Sequence, residues 1–106
     1  MINELVFTVE FNIKPEAREA FLTSLNQVLD HMANEQTFVS CYQHQEAGDA
    51  NKFVIYERWS EPSMEAFMEN QFHGKAYRED YEAKLPQWLA EPRKISVLEP
   101  IGEWLS

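Results

Sequence analysis

Between Glu57 and Arg78 and on to Tyr81 the chain gathers side chains that could do chemistry on a small organic molecule. Glu57, His73 and Tyr77 are the candidate catalytic residues, because a carboxylate, an imidazole and a phenol can each move a proton. Trp59, Phe67, Asn70, Gln71 and Tyr81 are the candidate substrate-binding residues, since aromatic walls with sparse polar groups are how a concave site holds a flat ring. Each has a plainer reading. Trp59 ends an apolar strand and serves either a core or a stacking face. Glu57 shares its face with Ile55 and Trp59; if buried, it needs a partner such as Arg78 or Lys75, or a raised pKa. His73 sits where one helix gives way to the next and could cap rather than transfer a proton. Tyr77 and Tyr81, four residues apart, are a core stripe or a pair of pocket phenols, and Arg93 reads as a surface or interface ion-pair residue.

Signatures of the common catalysts do not occur in the sequence. It has no Gly-rich phosphate loop, no nucleophile elbow and no dinucleotide fingerprint. His31, His44 and His73 stand apart, without clustered Cys or His, so neither a metal nor a cofactor is expected. The single Cys41, in a strand pattern, reads as a small buried apolar residue rather than a nucleophile.

The balance of 9 basic against 18 acidic residues gives a formal charge of -9, which repels nucleic acid and anionic membrane surfaces. With no basic start followed by an apolar block, no signal peptide or membrane span is expected, and one cysteine suits a reducing cytoplasm. One apolar pattern runs end to end, so residues 1–106 read as a single domain.

The elements that must position the candidate residues follow from periodicity. Leu5 to Ile13 alternates as a strand. Pro15 opens a helix whose stripe of Phe21, Leu22, Leu25, Val28, Leu29 and Met32 lasts to about Ala33. Thr37–Gln45 and Lys52–Trp59 are strands joined through a turn at Gly48-Asp49-Ala50-Asn51, an antiparallel hairpin. Ser60, with Ser63 competing, caps a helix from about Glu61 to Asn70, whose Glu61, Glu65 and Glu69 form a solvated row. A second helical stretch runs from His73 to Leu85 and stops before Pro86; Trp88 and Leu89 add a half-turn, and Pro92 precedes a fourth strand from Arg93 to Ile101. The tail from Gly102 to Ser106 keeps Trp104 and Leu105, so it should dock on its own body or on a second subunit.

This order predicts an α+β, ferredoxin-like fold: one four-stranded antiparallel sheet with helices on one face. The first and third strands are apolar on both faces, and the uncovered face calls for a second copy about a two-fold axis. A homodimer with sheets packed face to face is expected.

The chain also resembles the antibiotic biosynthesis monooxygenase domain family and its quinol monooxygenase relatives. The resemblance is carried by VFTVEFNIKPEAREAFLTSL, NEQTFVSCYQHQ, FVIYERWSEPSMEAF and YREDYEAKLPQWLAEPRKISVLEPI, in this order nearly end to end. It implies a dimeric α+β barrel with a pocket between sheet and helices in each subunit, and cofactor-free oxygenation of a small aromatic, phenolic or quinol-like compound by molecular oxygen. On that reading Trp59 and Tyr77 hold the ring and Glu57 or His73 moves the proton. Many quinol-type members carry a His in the helix after the Trp, where this chain has Asn70 and Gln71. The alternative from another class is a non-oxidative pocket protein, an isomerase or binding module; a haem protein is the third.

Overall fold

The computed structural model describes residues 4–106. β1 (Leu5–Ile13) leads through a 3-10 turn at Pro15–Ala17 into α1 (Arg18–Met32), and β2 (Phe38–Gln45) and β3 (Lys52–Trp59) follow. A short α2 (Met64–Phe67) widens into a π-helical turn at Met68–Phe72, α3 (Ala76–Trp88) comes next, and β4 (Leu89–Leu98) closes the order. The sheet is antiparallel in the order β2-β3-β1-β4, the ferredoxin-like arrangement. Alternation fixes the two faces: Phe53, Ile55, Glu57 and Trp59 turn under the helices, where they meet Phe7, Phe11 and Phe21 in the core, and Val54, Tyr56 and Arg58 turn the other way.

The structure moves several expected boundaries, each for a physical reason. The helix expected over Glu61–Asn70 starts later, because Ser63 is the cap: its hydroxyl oxygen accepts the Ala66 N–H at 3.1 Å. Ser60 instead extends the sheet contact, donating its N–H to the Thr37 carbonyl at 2.7 Å. Glu61 is not part of a solvated row. It is 3% exposed and accepts hydrogen bonds from Thr37 Oγ1 at 2.7 Å, Asn70 Nδ2 at 3.2 Å and Gln71 Nε2 at 3.3 Å. Those bonds draw residues 70 and 71 back toward the strand end. The helix widens there, and the His73 N–H reaches the Met68 carbonyl at 2.9 Å.

Pro86 does not end α3, which continues to Trp88. A proline in the last turns removes one helical hydrogen bond and leaves little helix downstream to disrupt. β4 accordingly starts at Leu89, ends at Leu98 rather than Ile101, and tolerates Pro92 because it is an edge strand with a register shift opposite Glu10 and Asn12. Ile101, Trp104 and Leu105 are 99%, 88% and 84% exposed, so among the described residues the tail is not docked on its own body.

Candidate functional site

The helix-covered face does not close completely. Between it, α1 and α3 lies a cavity that offers about 70 Å³ to the centre of a water molecule. Its walls are apolar: Phe7, Val9 and Ile55 from the sheet, Val28 and Met32 from α1, and Phe67 beside them. Met64, Met68 and Phe72 form the end toward α2. Set into this wall are Glu57, Arg78, Tyr81, Glu82 and Arg93.

Glu57 comes from β3, which puts it on the face of Ile55 and Trp59. It is 4% exposed, and the Trp59 Nε1–H donates to its Oε1 at 2.9 Å. Burial pushes its carboxyl above the ordinary value of 4.5, against the Trp59 hydrogen bond and the nearby Arg78 charge, which pull it down. Arg78 is 7% exposed on the inner face of α3. Its Nε donates to the Gln71 carbonyl at 3.0 Å, and its guanidinium lies 5.1 Å from the ring centre of Phe72 and 5.8 Å from that of Phe67. Its Nη2 is buried with no hydrogen-bond partner among the described residues, as is the hydroxyl of Tyr81 one helical turn on, beside the Arg93 guanidinium. Burial also raises the Tyr81 phenol above its ordinary value, so it stays protonated and able to donate. At the β4 side Arg93 grips Glu82 through two hydrogen bonds of 2.9 and 2.7 Å, tying the edge strand to α3.

The arrangement has a simple chemical content. A carboxyl that binds protons readily and two residues with an unpaired buried donor line one mostly apolar space. A buried donor without a partner costs about 1–3 kcal/mol, and a ligand oxygen placed between Arg78 and Tyr81 would remove that penalty.

Of the residues singled out from sequence, the fold brings Glu57, Phe67 and Tyr81 to this cavity. Trp59 lies one layer behind it, fully buried, holding Glu57 and packed edge-on against Phe67 at 4.9 Å and Phe38 at 5.2 Å. Tyr77 lies on the flank of α3. Its hydroxyl donates to Glu35 Oε2 at 2.8 Å beside Lys75, its ring stacks on His31 at 5.0 Å, and burial and the Glu35 carboxylate push its phenol up to about 12. Asn70 and Gln71 serve the Glu61 network instead. His73 is exposed over a shallow groove with Met64, Glu65, Met68 and Glu69, outside the α2 end of the cavity.

Sequence reasoning weighed Arg78 as the partner of a buried Glu57 without counting it among the site residues, read Arg93 as an ion-pair residue and passed over Glu82. The signal was present: Arg78, Tyr81 and Leu85 share one helix face at spacings of three and four, and these are the buried residues of α3. Among the described residues no group of three or more His, Cys, Asp or Glu is placed to hold a metal ion.

A model of the family described as antibiotic biosynthesis monooxygenase matches residues 5–80, which include Glu57, Phe67 and Arg78. The chain belongs to this family. The Bacillus subtilis (strain 168) protein named "Putative monooxygenase YcnE" is 29% identical over 92 residues, covering 86% of this chain and 92% of its own. Among solved structures, Rv0793 from Mycobacterium tuberculosis is similar with a TM-score of 0.79 at 23% identity, covering 94% of this chain and 97% of that one. A mutant of SnoaB, a cofactor-independent oxygenase from Streptomyces nogalater, is similar with a TM-score of 0.77 at 15% identity, covering 95% of this chain and 96% of that one. At these identities the two structures establish the shared fold. The matched stretch stops before Tyr81, Glu82 and Arg93, so the β4 side of the cavity lies beyond it.

Proposed function

We propose that this chain, as one domain over residues 1–106, is a cofactor-independent monooxygenase of a small phenolic or quinol-like compound. The observation that carries the reading is that Glu57, Arg78 and Tyr81 line one mostly apolar cavity, with the Arg78 Nη2 and the Tyr81 hydroxyl buried and unpartnered among the described residues. Triplet oxygen reacts slowly with molecules whose electrons are paired. An enzyme without a redox group must therefore make its substrate the electron donor. Glu57 takes the proton of a phenol, Arg78 and Tyr81 hold the phenolate oxygen, and Phe67 walls the ring.

The cavity has room for one negative charge opposite Arg78, carried either by Glu57 or by the ligand oxygen. Proton transfer between them keeps the count constant, which suits a dry site. For a hydroquinone the balance closes without an external reductant: one atom of dioxygen enters the ring, the other leaves as water, and the product is the hydroxyquinone. All the electrons come from the substrate. The cavity as folded is far below the ~300 Å³ at which small-molecule pockets begin. Admission of a ring therefore requires Met64 and Met68 to swing aside, which their flexible thioether chains permit.

Trp59 sets the position and acidity of Glu57 in this reading, and Asn70 and Gln71 act on Arg78 by holding the π-helical turn. His73 and Tyr77 stand at the outer groove and the α3 flank, on the path a ligand would take rather than at the reacting ring. The active form is a homodimer, a dimeric α+β barrel with open sheet faces apposed, in a reducing cytoplasm. Among the described residues no helix is long and apolar enough to cross a membrane.

A base beside two oxyanion donors also serves an isomerase that moves a proton on a carbonyl compound. Oxygen consumption separates the two. Pure protein in aerobic buffer with a panel of hydroquinones should take up oxygen faster than the uncatalysed control; uptake at the control rate with every compound would favour the isomerase.

A further inference from the structure

We propose that the inner end of the cavity, past Glu57, is a subsite for dioxygen, held between apolar walls while the ring is bound nearer α2. The inference rests on the oxygenase reading above and assigns a place to its second substrate. The sheet register sets the long axis of the cavity. Phe7 pairs with Glu57, Val9 with Ile55 and Phe11 with Phe53, three successive rungs on the helix-covered face. α2 lies over the first rung, where Phe67 meets Phe7 at 5.3 Å. α1 closes the third, where Phe21 packs on Phe11 at 5.1 Å and on Phe53 at 5.5 Å. The middle rung lies between them. Leu25 and Val28, one and two turns along α1 from Phe21, line the cavity together with Val9 and Ile55.

Chemistry divides the cavity along this axis. Glu57 stands on the first rung, and Met64, Met68 and Phe72 line the end toward α2, the way in for a ring. Glu82 and Arg93, at the β4 side, satisfy each other. Val9, Ile55, Leu25 and Val28 are all buried, and their side chains offer no hydrogen bond. Water needs about two to four polar partners to settle in a cavity, whereas an apolar space stays dry and takes up apolar atoms such as xenon. Dioxygen is small, uncharged and apolar, so it partitions into the same space. Size agrees with this division. The folded cavity, with about 70 Å³ open to the centre of a water molecule, admits a diatomic molecule without moving Met64 or Met68. A ring with its oxygen at Arg78 and Tyr81 would then meet dioxygen on the side away from bulk water. The subsite adds no co-reactant, and atoms and electrons balance as for the hydroquinone above.

Xenon reports the subsite without any turnover. In methyl-labelled protein under xenon pressure, the methyl signals of Val9, Leu25, Val28 and Ile55 should shift along a saturable curve. Val9→Ile and Val28→Ile each add one carbon to the wall, and the two positions guard against one variant failing to fold. Both should weaken the xenon shifts and raise KM for dioxygen several-fold. KM for the hydroquinone, and kcat at saturating dioxygen, should stay nearly unchanged. Methyl signals that xenon leaves unmoved in an active enzyme would overturn the subsite while leaving the oxygenase standing. A rise in KM for the hydroquinone, with KM for dioxygen unchanged in both variants, would overturn it by giving the space to the ring. Oxygen uptake at the control rate with every hydroquinone would remove the dioxygen role and the oxygenase together, even with xenon bound.

Discussion

Trp59 donates its Nε1–H to Oε1 of Glu57 at 2.9 Å, from two residues along the same face of β3. The bond stabilises the ionised carboxylate inside the core and opposes the burial that raises its pKa. Trp59→Phe keeps an aromatic ring and removes the donor. Glu57 should then hold its proton to still higher pH, and the rising limb of the pH–activity profile should move to the alkaline side. Loss of the bond should also lower stability by about 1–2 kcal/mol, read from urea unfolding.

Glu57 itself links stability to pH. Its folded pKa lies above the ordinary 4.5 expected when unfolded, so its contribution is fully present below 4.5 and is lost as pH rises toward the folded value. Glu57→Gln keeps an oxygen for Trp59 but cannot ionise. Native chain and variant should therefore keep a constant stability difference below pH 4.5. The variant should gain on the native chain as pH rises to neutrality, which unfolding curves over a pH series will show.

Arg78 is buried with one guanidinium nitrogen that has no hydrogen-bond partner among the described residues. Replacing a half-satisfied buried charge with an apolar chain of similar length is often neutral or stabilising. Arg78→Met should therefore keep or raise the midpoint of unfolding. It should also raise KM for an ionisable phenol tenfold or more, about 1.4 kcal/mol or above at the charge-assisted contact, and shift the pH profile upward by removing a charge that favours ionised Glu57.

The start of α2 offers a clean comparison of two serines. Ser63 Oγ accepts the Ala66 N–H at 3.1 Å, whereas Ser60 uses its backbone. Ser63→Ala should cost about 1 kcal/mol and Ser60→Ala less than about 0.5 kcal/mol in urea midpoints.

The legible parts of the sequence were those where periodicity meets a single environment. β1 and β3 each alternate against one helix-covered core, and α1 carries one apolar stripe, so their limits and faces follow from residue types. The region after Trp59 obeys different rules. Glu61 looks like the first of an exposed row, yet it is the acceptor that gathers Thr37, Asn70 and Gln71; contacts from Thr37, far away in sequence, decide its burial. Arg78 occupies an inward helix position that charge alone assigns outward. Its phenyl neighbours and the Gln71 carbonyl make that position tolerable, and none of them is recognisable before the π-helical turn is known. Tyr77 and Tyr81 show the limit of counting by four: Tyr81 faces the cavity and Tyr77 faces Glu35.

The central claim is that Glu57 deprotonates a bound phenol so that the substrate itself reduces dioxygen. Labelled dioxygen tests it most directly, with a turned-over hydroquinone analysed by mass spectrometry. One labelled oxygen atom should appear in the product and one in water for each dioxygen consumed, and Glu57→Gln should lower the rate by about 10²–10⁴. Product without label, or labelled product formed at an unchanged rate by Glu57→Gln, would contradict the account.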